Sequence, residues 1–285
     1  MLIEPPPPRA IARAVTLALD EDRARDDVTT LATVPPDLQG RAVFLAKDAG
    51  VVAGLIVAAE VFRQIDGSVG FVQHTGEGSR FAFGDVLAGA TGPVRALLQA
   101  ERVALNFLQR LCGVATMTRA FVDAVSGTNA VILDTRKTTP GLRDLEKYAV
   151  RCGGASNHRR DLASMAMIKD NHREVLARTG RTLAEAVAAI RVTAPGVPVE
   201  IEVDSLDQIE AALAARPEWV LLDNMPAADI AEAVRQTAGR ARLEASGGVR
   251  LETVAAIAAT GVDAVSVGAL THSAPALDIS LELSF

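Results

Sequence analysis

Beyond Asn129 the chain settles into an alternation of short apolar runs and stretches with helical spacing. The runs Val131–Leu133, Met165–Ile168, Val199–Val203, Trp219–Leu222, Arg242–Ala245 and Ala264–Val267 read as strands, because each is bounded by polar or glycine clusters. Thr182-Leu-Ala-Glu185 and Ser205-Leu-Asp-Gln208 have the capping-box form that opens a helix. Strand followed by helix, repeated, is the pattern of a parallel sheet with crossover helices. No glycine-rich dinucleotide fingerprint follows the first strand, which favours a (β/α) barrel over a doubly wound sheet, although periodicity alone does not separate the two.

The chain before Pro93 has a different texture. Val43–Ala46 suggests a strand and Gly50–Ala59 a strand passing into a helix. Glycines from Gly67 to Gly92 then punctuate short pieces around Phe71-Val72 and Asp85-Val86-Leu87. This spacing predicts a small α+β sandwich with an antiparallel sheet. From Pro93 to Ser126 the apolar positions become helical, with Arg95, Gln99, Arg102, Asn106 and Gln109 on the opposite stripe. Gly113 is expected to bend or break this helix. The organisation expected is an N-terminal α+β domain over residues 1–115 and an incomplete (β/α) barrel over residues 116–271. The tail, residues 272–285, is expected to return to the first domain.

In a parallel barrel the chemistry sits at the carboxyl ends of the strands. Those ends carry Asp134-Thr135-Arg136-Lys137, Lys169-Asp170-Asn171-His172, Glu202-Val203-Asp204, Asp223-Asn224, Ser246-Gly247-Gly248 and Gly268-Ala269-Leu270. A polar strand end is ordinary, but cations first, acids in the middle and glycines last form an ordered series. Ser246-Gly247-Gly248 stands before a helix, where free backbone N–H groups and a hydroxyl make an anion site. Gly268-Ala269 ends the last strand similarly, and barrels often bind phosphate after their last two strands. Glu202 and Asp223 beside such a site suit Mg²⁺ shared with a diphosphate, sugar hydroxyls, or a buried ion-pair network with Lys169 and Arg136. The histidines show no zinc spacing.

Composition narrows the possibilities. With 285 residues, 49% hydrophobic and 22% charged, the chain is an ordinary globular protein rather than a disordered or disulfide-stapled one. The longest apolar stretch, Val51–Ala59, is far short of the ~20 residues that cross a bilayer, and the first residues have neither the basic start nor the apolar core expected of a signal peptide. Cys112 and Cys152 are the only cysteines, which points to the reducing cytoplasm. A net charge of −6 with 4% aromatic residues disfavours nucleic acid. Only four of the 29 basic residues are lysines (Lys47, Lys137, Lys147 and Lys169), and two of these fall at strand ends. Arg136, Lys137, His158, Arg159 and Lys169 concentrate positive charge inside an acidic chain, which suits a small polyanion.

These residues, taken together, resemble one family. Glu101-Arg102 with Asn106, Asp134-Thr135-Arg136-Lys137-Thr138 with Pro140-Gly141, Asn157-His158-Arg159, Ile168 to His172, Glu202-Val203-Asp204, Leu222-Asp223-Asn224, Glu244 to Gly248 and Val267 to His272 match quinolinate phosphoribosyltransferase in order. Asp26-Asp27-Val28-Thr29-Thr30 fits as well. The resemblance implies a pentosyltransferase of NAD biosynthesis. Quinolinate and phosphoribosyl diphosphate would give nicotinate mononucleotide, CO₂ and diphosphate, with Mg²⁺. It implies a homodimer whose active sites lie at the subunit interface, with Arg102 reaching the partner's quinolinate. It assigns Thr135, Arg136, Lys137, His158, Arg159 and Lys169 to the substrate carboxylates and phosphates, and Glu202 and Asp223 to the ribose and metal. Ser246, Gly247, Gly248, Gly268, Ala269 and Leu270, with His272, fall to the phosphate end, and Lys137, Lys169, Glu202 and Asp223 are the expected catalytic groups.

Three other readings compete. A molybdenum-transport-associated paralogue of the same fold would depart at the quinolinate cations, yet Arg102, Arg136, His158, Arg159 and Lys169 are all present. A Schiff-base barrel aldolase would use Lys169 as nucleophile, in an apolar pocket rather than among cations. A ligand-binding protein on a dead barrel would not need both acids and the phosphate glycines.

Overall fold

The structure is a computed structural model that describes residues 3–285. Its strands are β1 (Gln39–Ala46), β2 (Gly50–Val51), β3 (Gly70–Gln73), β4 (Arg80–Phe81), β5 (Val86–Pro93), β6 (Val131–Leu133), β7 (Ala166–Ile168), β8 (Val199–Val203), β9 (Trp219–Asp223), β10 (Arg242–Ser246), β11 (Ala264–Ser266) and β12 (Ile279–Ser284). The chain forms two compact units. One comprises the chain up to Arg119 with Lys137–Gly154 and Leu270–Phe285; the other comprises Ala120–Arg136 and Ala155–Ala269.

The first unit is built on an antiparallel sheet in the order β12-β1-β5-β3. Every second residue of β1 from Ala42 to Ala46 is fully buried, as a strand with one covered face requires. Phe44 of β1 and Phe71 of β3 meet Phe62 of the helix Leu55–Ile65, with ring centroids about 6 Å apart. The last strand lies antiparallel to β1, with Leu281 opposite Phe44.

The helix expected to break at Gly113 runs unbroken over Val94–Ala124. Gly113 serves proximity instead. A Cβ there would lie 1.9 Å from the Pro275 carbonyl oxygen, so only glycine admits the chain that leads into β12.

The second unit carries a parallel sheet in the order β6-β11-β10-β9-β8-β7, the incomplete barrel. All five residues of β8 are buried, which a parallel strand covered on both faces demands. Beyond β6, Ser156 bridges Leu133 in parallel, so residues 155–159 start along one edge of the sheet. Thr182 caps its helix as expected: its Oγ1 accepts the Glu185 N–H, and the Glu185 carboxylate returns to the Thr182 N–H. The second capping box does not form. Gln208 instead pairs with Asp204, and Ser205 opens only a short 3-10 turn, Leu206–Gln208. Among the described residues no helix is long and apolar enough to cross a membrane.

Candidate active site

Sheet register decides which side chains share the barrel interior. Glu202 pairs with Leu221, Leu221 with Glu244, Asp223 with Ser246, and Met167 with Glu200. Because strand side chains alternate, Glu200, Glu202, Asp223, Glu244 and Ser246 all lie on one face, with Lys169 two residues beyond Met167. Val199, Ile201 and Val203 take the opposite face and are buried there.

At the strand ends Lys169 Nζ meets Glu202 Oε2 at 2.5 Å. Lys169 is also the N-cap of the helix Asp170–Arg178, where its N–H donates to His172 Nδ1. Arg173 in that helix donates to the Glu202 carbonyl and to Gln208, fastening the end of β8. An open cavity of about 770 Å³ is lined by Arg136, Arg159, Lys169 and His172 along with apolar side chains such as Met167 and Leu162. Burial, and then the neighbouring charge of Arg136, lowers the Arg159 guanidinium below its usual range. The carboxylates of Glu200 and Glu244 act on it in the opposite direction.

The glycine turn is tightly fitted to β9. Gly247 has φ +90°, and a Cβ there would stand 2.4 Å from Asn224 Oδ1 and 2.7 Å from its backbone N. Asn224 is itself left-handed, with its N–H on the Ser246 carbonyl and its side-chain amide on Asp223. The helix that follows is Leu251–Ala258, while Gly268 leads directly into the short helix Ala269–His272.

Below this layer the barrel interior holds a buried charged cluster. His158 Nε2 lies 3.1 Å from Glu244 Oε2 and 3.3 Å from Glu200 Oε2, and all three side chains are less than a tenth exposed. Ser266 Oγ donates to Glu244 Oε1 at 2.5 Å, whereas neither Glu200 oxygen receives a well-directed hydrogen bond. The backbone N–H of Arg159 donates to His158 Nδ1 at 2.6 Å. The fully buried Asp134 accepts from Asn157 Nδ2 and from the His158 N–H, both at 2.8 Å. Burial opposes a charge on His158, but the facing carboxylates of Glu200 and Glu244 outweigh it and carry the imidazole up to about 9. Burial pushes Glu200 up to about 7. A charged imidazole between two carboxylates and a neutral one beside a single protonated glutamate hold equal numbers of protons. With Nδ1 accepting the Arg159 N–H, the ring's own proton sits on Nε2 and the second proton of the cluster is shared with the carboxylates.

Four further expected residues, Arg102, Lys137, Leu270 and His272, belong to the first unit. Lys137 is exposed, and its carbonyl accepts from Thr271 Oγ1 at 2.7 Å. Glu146, fully buried, holds the same loop: its carboxylate accepts from Thr139 N, Thr139 Oγ1 and the Arg110 guanidinium. Arg110 also reaches the carbonyls of Thr271 and Ala274. Leu270 is buried and His272 exposed, with its Nδ1 on Ser273. Of the polar helix stripe, Arg95, Gln99 and Gln109 are spent on backbone carbonyls within the chain. Arg102 and Asn106 remain exposed.

Thr135 follows Asp134 at the end of β6, half-buried. The pairing of Glu200 and Glu244 through His158, and the Arg110–Glu146 lock, were not anticipated from the sequence. The first had a visible signal: Val199-Glu-Ile-Glu-Val203 alternates apolar and acidic residues, so two carboxylates had to share a buried face.

Comparison with known proteins agrees with this geometry. The N-terminal domain of quinolinate phosphoribosyl transferase matches residues 27–112, and its C-terminal domain matches residues 114–282. The chain belongs to the quinolinate phosphoribosyltransferase family. A nicotinate-nucleotide pyrophosphorylase [carboxylating] of Mycobacterium leprae is 47% identical over 272 residues, 93% of this chain and 94% of that protein. A probable enzyme of the same name from Bacillus subtilis is 42% identical, over 85% of this chain and 83% of its own. Among solved structures, nicotinate-nucleotide pyrophosphorylase from Francisella tularensis superposes with TM-score 0.92 at 36% identity, covering 100% of this chain and 99% of that one. NadC from Streptococcus pyogenes gives 0.91 at 42% identity, covering 98% of both chains.

Proposed function

We propose that this chain is a decarboxylating quinolinate phosphoribosyltransferase, and that the convergence of Arg136, Arg159 and Lys169 on one cavity carries the assignment. Quinolinate brings two carboxylates and phosphoribosyl diphosphate several more negative charges, so the site must supply fixed cations. The pyridine nitrogen attacks the ribose carbon as the bond to diphosphate breaks. Positive charge develops on the ribose and negative charge on the leaving group. To Glu202 and Asp223 we assign stabilisation of the first, and to Lys137 and Lys169 stabilisation of the second. The pyridinium then accepts the electron pair of the C2–carboxylate bond as CO₂ departs, and a proton replaces it at C2.

Magnesium is part of the proposal. Glu202 and Asp223 share the interior face near the phosphate turn, and Mg²⁺ bound to a diphosphate needs only one or two protein carboxylates. Bound there, it would neutralise phosphate charge. The rest of the expected set, Thr135, Ser246, Gly247, Gly248, Gly268, Ala269, Leu270 and His272, is assigned to the ribose and phosphate groups. We assign Arg102 to the partner subunit's quinolinate in a homodimer, consistent with its exposure on the long helix. A cytoplasmic setting suits the two free, buried cysteines, whose thiols burial raises to about 12.

The aldolase reading is disfavoured by one contact. Lys169 is tied to Glu202, whereas a Schiff-base lysine works as a neutral amine in apolar surroundings. The deciding assay supplies phosphoribosyl diphosphate and Mg²⁺ with either quinolinate or nicotinate. Nicotinate leaves cations without their 2-carboxylate, so discrimination of about 10⁴-fold is expected. Efficient turnover of nicotinate overturns the assignment.

A further inference from the structure

We infer that Glu200 and Glu244 are positioning residues that act through His158 to fix Arg159 at the substrate end of the barrel. The inference rests on the proposed function, in which Arg159 binds quinolinate.

Residues 157–159 follow the one bridge to β6 and belong to no strand or helix, so side chains have to hold them. Asp134 takes the Asn157 amide and the His158 N–H. The imidazole does the rest: Nδ1 receives the Arg159 N–H, and Nε2 reaches Glu244 and Glu200. A path of direct contacts therefore runs from the two glutamates through one ring to the Arg159 backbone. Its guanidinium is aimed from the other side, donating to the Met165 carbonyl and lying 3.5 Å from Met167 Sδ. With both ring nitrogens engaged, His158 is the link rather than a group that grips substrate.

Two alternatives are weaker. The three groups have the composition of a metal site, with ligand atoms within 4.8 Å of one another. An imidazole whose Nδ1 accepts a backbone N–H carries its proton on Nε2, however, the atom a metal would need bare. A purely structural role is also a poor explanation. Barrel interiors are usually filled by layers of branched apolar side chains, and apolar replacement of a buried charged cluster is often neutral or stabilising. Glu200 and Glu244 are 0% and 2% exposed, so they occupy such a layer at a cost in desolvation.

A double-mutant cycle tests the inference. Glu244→Gln and Arg159→Lys are made singly and together, and KM for each substrate and kcat are measured beside thermal unfolding. Glu244→Gln should raise the quinolinate KM about tenfold while the phosphoribosyl diphosphate KM stays within about twofold. Its effect should largely vanish in the Arg159→Lys background, because residues acting as one unit are not additive. Equal effects in both backgrounds, or unchanged quinolinate KM in a folded Glu244→Gln protein, overturn the inference and leave the enzyme assignment intact. If Glu244→Gln does not fold, Glu200→Gln supplies the same cycle, since its oxygens accept no well-directed hydrogen bond. Wild-type protein that neither binds nor converts quinolinate overturns the functional reading, and the inference with it.

Discussion

Lys169 Nζ lies 2.5 Å from Glu202 Oε2, joining the end of β7 to the end of β8 at the mouth of the sheet. The lysine side chain is 45% exposed, so the pair contributes little to folding, ~1 kcal/mol or less. Its value is to hold a point charge next to a carboxylate where substrate charge must be balanced. Lys169→Ala should leave the unfolding midpoint nearly unchanged and lower kcat/KM about a hundredfold or more. Steady-state kinetics beside a denaturation curve decide it. A folded Lys169→Ala protein with normal turnover would remove the lysine from the catalytic set.

The His158–Glu200–Glu244 cluster predicts how stability responds to pH. Both resolved shifts are upward, so the folded chain keeps protons that the unfolded chain has already released. The stabilisation is fully present below the unfolded values, 4.5 for glutamate and 6.5 for histidine, and is lost as pH climbs through about 7 toward about 9. The unfolding free energy from urea titrations should therefore fall between pH 6.5 and 9, by an amount on the order of 2 kcal/mol. Glu200→Gln should flatten that decline. A wild-type profile that rises or stays level across this window contradicts the arrangement.

Gly247 and Gly248 are adjacent but are not equally replaceable. Both have positive φ, +90° and +59°. A Cβ on Gly247 would collide with Asn224 at 2.4 Å, whereas one on Gly248 would stand 3.8 Å from it. Gly248→Ala should cost ~1–2 kcal/mol, the ordinary left-handed penalty. Gly247→Ala must also displace Asn224, whose amide holds Asp223, so it should raise the phosphoribosyl diphosphate KM at least about tenfold. Equal effects from the two substitutions would show that the turn is not fitted against β9.

The strands and their polar ends were legible because a buried parallel strand is a short apolar run with abrupt limits. Glu202, Asp223 and the glycine turn could be found from one strand at a time. The interior cluster could not: His158, Glu200 and Glu244 are distant in sequence and meet only through the sheet order, which periodicity does not contain. Gly113 was misjudged for a related reason. A glycine within a helical pattern signals either weakness or a close approach, and the approaching chain at Pro275 lies far along the sequence. The polar helix stripe read as one surface, yet Arg95, Gln99 and Gln109 each find a carbonyl that only the folded chain brings near.

The proposed sharing of sites between subunits has a quantitative consequence. Arg102 is exposed on the long helix, while Lys169 stands at the end of β7. If Arg102 serves the partner's quinolinate, Arg102→Ala and Lys169→Ala proteins should each be nearly inactive as homodimers. Mixed under conditions that exchange subunits, they form heterodimers in which one site carries both lesions and the other carries neither. Random exchange makes about half the dimers mixed, and half of their sites are intact, so about a quarter of wild-type activity should return. Mass spectrometry of differently tagged chains establishes that exchange has occurred. If Arg102 acts within its own subunit, every site keeps at least one lesion and activity stays at the level of the parents. An exchanged mixture that remains inactive therefore rejects the cross-subunit role of Arg102, whatever the substrate assays say about the reaction itself.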